Sequence, residues 1–273
     1  MGGLAHKMAI VIRPSSLPGW SDCQLRTAAR TAPQMFLDLG YELRQLPQRA
    51  GPAIGTATHA AVAFTMQCKI DTGESANQTE TEQAGLEALS KSIEHGVEWD
   101  GVSPNFNTAQ KQVLRHYRVF RLHLEDDLRP RTVERRIEKL TKRGNTLSGQ
   151  PDVTDDGVMD LKTGVAKRVN GQQYGAYALL LRADGDPVSH ITEDYIKRVA
   201  IDKEQPLPEQ IRYDVALSER IAGATILDME RKFEEFERDG DTMIFSANTG
   251  SMLCSDRWCL AFKTSACPMS VNK

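Results

Sequence analysis

Gly149-Gln150-Pro151-Asp152-Val153-Thr154-Asp155-Asp156-Gly157-Val158-Met159-Asp160-Leu161-Lys162-Thr163-Gly164 is the stretch that decides the fold. Two short apolar runs, Leu147 to Val153 and Val158 to Lys162, flank Thr154-Asp155-Asp156-Gly157. Asp-Gly between such runs is a strong hairpin signal. With the turn centred on Asp156, Asp152 and Asp160 stand equally far from the centre and face each other across the strands. Cross-strand partners share a face at roughly 5 Å between Cβ atoms, so two carboxylates placed there repel. A hard cation such as Mg²⁺ or Mn²⁺ resolves the conflict, because carboxylate oxygens suit its coordination. Strand alternation puts Lys162 on the same face as Asp160 and turns Leu161 toward the core. A lysine beside a metal ion and a scissile phosphate can orient water and stabilise charge developing in the transition state. The alternative is an ordinary charged surface hairpin, since Asp-x-Lys alone occurs in many proteins.

Upstream, 15–130 reads as mainly helical. Residues 13–50 contain helices with a bend or helix start at Pro33, Gly51 to Gly55 reads as a loop, and Thr56 to Cys68 as a helix of small residues. Loops are expected over 71–83 and 99–107, with a helix over 84–96 between them. An amphipathic helix follows from Thr108 to Leu124, with Val113, Leu114, Tyr117, Phe120 and Leu124 at three- and four-residue spacing. The sheet core is expected over 131–202: a strand over Thr132 to Leu140, the hairpin, a buried helix over Gln172 to Leu181, and a strand over Tyr195 to Ile201. In 203–273 a helix from Asp214 to Arg238 follows the Pro206/Pro208 loop, and a cysteine-rich tail ends the chain. The order implies a single α/β domain over 1–273 with a mixed sheet.

The 273 residues suffice for a large core, and 40% hydrophobic with 26% charged residues is ordinary for a globular protein. No apolar run approaches the roughly 18 residues of a membrane span, and Met1 to Ser16 holds no secretory h-region. A cytoplasmic setting without a membrane partner is therefore expected; Gly2 to Lys7 reads equally as an added scar or a natural leader. The net charge of -3 counts against a nucleic-acid surface, although carboxylate metal sites are acidic by necessity. Arg129, Arg131, Arg135, Arg136, Lys139, Lys142 and Arg143 form a locally basic stretch that reads as a contact surface or as solvated charge. Five cysteines in such a chain do not suggest a disulfide framework. Cys254-x4-Cys259-x7-Cys267 is not the paired C-x-x-C arrangement of zinc sites.

Gly149-x-x-Asp152, then Asp160-Leu161-Lys162-Thr163-Gly164, then Gln173-x-x-x-Tyr177, with Gly55-x-x-x-His59 upstream, resembles the PD-(D/E)xK nuclease superfamily. The nearest pattern is the branch of RecB and AddB nuclease domains and RecB-like CRISPR-associated and phage exonucleases. The resemblance implies a restriction-endonuclease-like core, a mixed central sheet flanked by helices, with a helical N-terminal insertion and a Cys-rich C-terminal tail. It implies Mg²⁺ or Mn²⁺ held by His59, Asp152, Asp160 and the Leu161 carbonyl, with Lys162 catalytic and Gln173 supporting lysine, metal or substrate. Glu134 is either a further acidic group near the metal or a solvated strand residue, the second being favoured. AddB-like and CRISPR-associated relatives hold a [4Fe–4S] cluster with one N-terminal and three C-terminal cysteines, positions that Cys23, Cys254, Cys259 and Cys267 fill here. The spacing departs from the family's C-x-x-C pair and keeps Zn²⁺ as the alternative; Cys68 reads as a small core residue. The implied activity is exonucleolytic hydrolysis of DNA ends or single strands, with recombination, repair, phage DNA-processing or CRISPR-adaptation proteins as partners by analogy. Two other readings are a nucleic-acid-binding module with an idle site, acting through partners, and a structural iron–sulfur or zinc protein.

Overall fold

The computed structural model describes residues 9–271 and Lys273, so Gly2 to Lys7 lie outside the described residues. After β1 (Val11–Ile12) come six helices: α1 (Leu17–Asp22), α2 (Gln24–Thr31), α3 (Pro33–Asp38), α4 (Ala50–Thr72), α5 (Gln78–Ser92) and α6 (Phe106–His123). Five strands follow, β2 (Thr132–Val133), β3 (Ile137–Leu140), β4 (Thr146–Gly149), β5 (Val153–Thr154) and β6 (Val158–Gly164). Then come α7 (Gly171–Ala183), β7 (Ile191–Lys197), β8 (Glu209–Tyr213), α8 (Val215–Asp239) and an irregular cysteine-bearing tail. The strands form two mixed sheets, β2-β5-β6-β7-β8 and β1-β4-β3. In the larger sheet only β6 and β7 run parallel, and α7 is their crossover. The architecture is the expected α/β arrangement of mixed sheets flanked by helices, with three of the five cysteines in the C-terminal tail.

Alternation along β6 assigns its two faces. Met159 and Leu161 enter a core with Val62 and Met66 of α4 and Tyr117 and Phe120 of α6. Val158 enters the larger core, built from α1–α3, α7, α8 and the tail. Gly175 allows α7 to lie directly on α8, because a Cβ there would fall 2.0 Å from the Ser218 carbonyl oxygen.

Several boundaries differ from the sequence expectation for identifiable reasons. The strand expected over Thr132 to Leu140 breaks at Glu134, whose φ of 45° is left-handed, and its halves join different sheets. The run Leu147 to Val153 divides likewise at Gln150-Pro151-Asp152, where proline supplies no N–H to a ladder. Helix α4 begins at Ala50 and absorbs the loop expected over Gly51 to Gly55; Pro52 sits in its first turn, where no intrahelical donor is needed. Helix α5 begins at Gln78, inside the expected loop, with Asn77 capping the Thr79 N–H. The strand expected over Tyr195 to Ile201 lies instead over β7. Strands β1 and β8 were not expected, β1 being two residues long and β8 a half-exposed edge without clean alternation.

Candidate active site

The β5–β6 register pairs Val153 with Met159 and Thr154 with Val158, which sets Asp152 across from Asp160 one step further along. Asp152 is held from three sides. Its Oδ2 accepts the Leu161 N–H at 2.8 Å, its Oδ1 lies 3.1 Å from His59 Nδ1, and its backbone carbonyl accepts the Glu134 N–H at 2.9 Å. His59 arrives on α4. One turn earlier, Gly55 lets that helix approach β6, since a Cβ there would sit 3.2 Å from Thr163 Oγ1. Ligand atoms of His59, Glu134 and Asp152 all lie within 4.8 Å of one another.

Asp160 sits beside this group, almost fully buried at 1% exposure. Its Oδ2 forms an ion pair with Lys162 Nζ and lies 3.4 Å from the Tyr174 hydroxyl, while Gln173 Nε2 donates to its Oδ1 at 3.4 Å. Gln173 also donates to the Tyr177 hydroxyl at 3.1 Å, and the Lys162 ammonium lies 5.7 Å from the Tyr174 ring centroid. The Leu161 side chain is buried in the core.

The charges are unbalanced toward the negative. Burial, reinforced by Asp152, pushes the Asp160 carboxyl up to about 6 even though Lys162 opposes the shift. Surrounding protein and the Asp152 charge raise the Glu134 carboxyl. Burial disfavours the charged forms of Asp152 and His59, but their mutual attraction prevails, lowering the first pKa and raising the second. Burial likewise opposes the Lys162 ammonium, and Asp160, Asp152 and Glu193 outweigh it. One imidazole and two carboxylates in reach of one point, with a third carboxylate adjacent and surplus negative charge, fit a hard divalent cation.

The expected residues are thus placed in one neighbourhood with two changes. Glu134, favoured as a solvated residue, is exposed yet belongs to the His59–Asp152 group. Asp160 lies outside that group, with one carboxylate oxygen held by Lys162. Sequence reasoning missed Tyr174 and Glu193, both fully buried. The spacing drew attention to Tyr177, whereas the hydroxyl within reach of two carboxylates belongs to Tyr174.

A second acidic group, Asp155, Asp156 and His190, lies at the hairpin tip. Its members serve the turn: Asp155 accepts the Gly157 N–H at 2.7 Å, and Asp156 accepts the Ser189 hydroxyl at 2.8 Å. Much of the basic stretch is paired. Arg135 and Lys139 meet Asp184, Arg135 also meets Asp186, and Arg136 donates to Gln150 Oε1 at 3.0 Å.

Cys23, at the α1–α2 junction, lines one small cavity with Cys254, Cys259 and Cys267. All four are buried and unbridged. Burial and the neighbouring thiols push Cys254 up and Cys259 up to about 11. Among the described residues, no three of these sulfurs lie within 4.8 Å of one another. A tetrahedral zinc site, with Zn–S near 2.3 Å, would hold its sulfurs roughly 3.8 Å apart. Cys68, expected in the core, is partly exposed on α4 with its sulfur 3.7 Å from Thr72 Oγ1.

No family model and no curated protein matches the chain. Among solved structures, the chain is similar to a protein from Eubacterium rectale provisionally assigned as an exonuclease. The two align with a TM-score of 0.52 at 10% identity, over 89% of this chain and 86% of that one. LHK-Exo in complex with dAMP aligns with a TM-score of 0.29 at 15% identity, over 70% of this chain and 95% of that one. The first likeness is one of fold, a mixed α/β architecture shared across most of both chains. No described helix is long and apolar enough to cross a membrane.

Proposed function

We propose that the chain is a divalent-metal-dependent deoxyribonuclease of the PD-(D/E)xK superfamily, in its RecB/AddB-like branch, acting as an exonuclease on DNA ends or single strands. The observation that carries this reading is the convergence of His59, Glu134 and Asp152 beside the ion pair of buried Asp160 with partly exposed Lys162. His59, Asp152 and Asp160 would hold Mg²⁺ or Mn²⁺, with Glu134 as a further carboxylate and the Leu161 carbonyl available. Such an ion, when bound, supplies Lewis acidity toward the phosphate and acidifies coordinated water. Lys162 brings its ammonium to the same face and would orient water or stabilise charge on the phosphate oxygens. Gln173 holds Asp160 by its amide and is in turn fixed by Tyr177.

The whole of 1–273 would act as one nuclease domain, with 15–130 its helical part, 131–202 its catalytic sheet and 203–273 its helix and cysteine tail. Cys23, Cys254, Cys259 and Cys267 would hold a [4Fe–4S] cluster that braces the two ends of the chain. What supports it is that all four thiols are buried around one cavity, joining the N-terminal Cys23 to the tail. Recombination, repair, phage DNA processing or CRISPR adaptation, in the cytoplasm and with the partner proteins of those processes, is the setting proposed.

The test is degradation of end-labelled single- and double-stranded DNA with Mn²⁺ by wild type, Asp160→Ala and Lys162→Ala at matched iron content. Wild type should shorten the labelled strands, and each variant should lose at least about 100-fold in rate. Equal degradation by all three would mean that the site is wrong. No degradation by any, with DNA still bound, would leave a binding module.

A further inference from the structure

Glu193 is fully buried next to the candidate active site. It pairs in register with Asp160 across the parallel strands β6 and β7, so the two carboxylates rise side by side on the face covered by α7. Three donors converge on one of its oxygens: the Tyr174 hydroxyl at 2.5 Å, the Tyr213 hydroxyl at 3.1 Å and Asn170 Nδ2 at 3.1 Å all reach Oε2. Its other oxygen, Oε1, is buried without a hydrogen-bond partner among the described residues.

Tyr174 stands between the two acids. Its hydroxyl is 2.5 Å from Glu193 Oε2 and 3.4 Å from Asp160 Oδ2. A phenol has one proton to donate, and the short contact takes it. Without an acceptor at Glu193, that proton would turn to Asp160, the nearby anionic oxygen. A carboxylate oxygen that accepts a strong hydrogen bond has less electron density for a cation.

We propose that Glu193 is a positioning residue for the metal site: by accepting the only proton of the Tyr174 hydroxyl, it leaves the Asp160 carboxylate to a divalent cation and to Lys162. The proposal rests on the reading of Asp160 as a metal ligand. Packing reinforces the arrangement. The Tyr174 and Tyr213 rings meet edge to face at 5.1 Å, and Gly171 lets β8 come close, a Cβ there lying 3.3 Å from the Tyr213 ring.

The sign of a double substitution tests this. Mn²⁺ affinity would be measured by calorimetry on the full chain for wild type, Glu193→Leu, Tyr174→Phe and the double variant, with the melting temperature of each recorded without metal. Glu193→Leu, which fills similar space without an acceptor, should bind Mn²⁺ about 10-fold or more weakly, the loss common for groups that orient metal ligands. Tyr174→Phe keeps the ring and removes the hydroxyl, and should bind within about 3-fold of wild type. Adding Tyr174→Phe to Glu193→Leu should recover at least about 3-fold in affinity, because no hydroxyl is left to capture Asp160. A merely structural Glu193 would make the double variant the weakest binder. Wild-type affinity in Glu193→Leu, or no recovery in the double variant, overturns the proposal. If those results come with intact DNA degradation, the nuclease reading survives. Mn²⁺ binding with the predicted pattern but no DNA degradation sinks that reading and leaves this one. A wild-type protein that binds no Mn²⁺ overturns both.

Discussion

Glu134 sets a backbone cost against a charge. Its φ of 45° costs a residue with a Cβ about 1–3 kcal/mol, yet it brings a carboxylate to His59 and Asp152. Glycine adopts that conformation freely. Glu134→Gly should therefore raise the stability of the metal-free protein by about 1 kcal/mol in denaturant titration while weakening Mn²⁺ binding. An unchanged or lowered stability would refute the strain. His59 gives a pH dependence. Its pKa is raised because the Asp152 carboxylate outweighs the burial that opposes the imidazolium. A raised histidine pKa contributes stability that is fully present below its ordinary value near 6.5 and is lost as pH rises through the raised value. In metal-free buffer, the stability difference between wild type and His59→Gln should be larger at pH 5.5 than at pH 8.5. A constant difference would contradict the ion pair. At this scale, the opposition of Asp152 and Asp160 was legible because a hairpin register follows from its turn. Tyr174 was not legible. Gln173 and Tyr177 share a helix face by spacing, but which hydroxyl meets a carboxylate depends on how α7 rolls against β6 and β7.

Helix α7 owes its position to glycines. The Cβ of an alanine at Gly175 would meet the Ser218 backbone at 2.0 Å, and one at Gly149 would meet Leu180 Cδ1 at 2.6 Å. The first contact is with backbone and cannot be relieved by a rotamer. Gly175→Ala should cost at least about 3 kcal/mol in denaturant titration, the upper part of the overpacking range, and should disturb Gln173 and Tyr174 with it. A loss under about 1 kcal/mol would show that α7 and α8 can part freely. The elements were partly legible for the same reason that these glycines were not. Periodicity marks a buried helix over Gln172 to Leu181, but no local pattern tells how closely another helix lies. Pro151 could have signalled that Leu147 to Val153 is two strands, since it cannot join a ladder, whereas the break at Glu134 left no sequence signal because glutamate rarely takes that backbone conformation.

Over the whole molecule, the two ends of the chain share one core. Trp20 stacks on Phe233 at 6.2 Å and meets Phe245 edge to face at 5.8 Å, and Phe36 lies 4.6 Å from Phe236. Cys23 meets the tail cysteines over this core. Protein prepared anaerobically should be brown and carry about four iron and four sulfide per chain. Cys267→Ala should lose the iron and lower the melting temperature; colourless, iron-free wild type of full activity would remove the cluster from the account. The joining of distant ends was expected only through the resemblance, since nothing local in Cys23 points to Cys267. The proposed metal centre has the most direct test, a Mn²⁺-soaked crystal read by anomalous scattering. The account predicts a peak bounded by His59, Asp152, Glu134 and Asp160, within about 2.5 Å of at least three of their ligand atoms. A peak at Asp155, Asp156 and His190 instead, or none at a Mn²⁺ concentration at which the protein degrades DNA in solution, would contradict it.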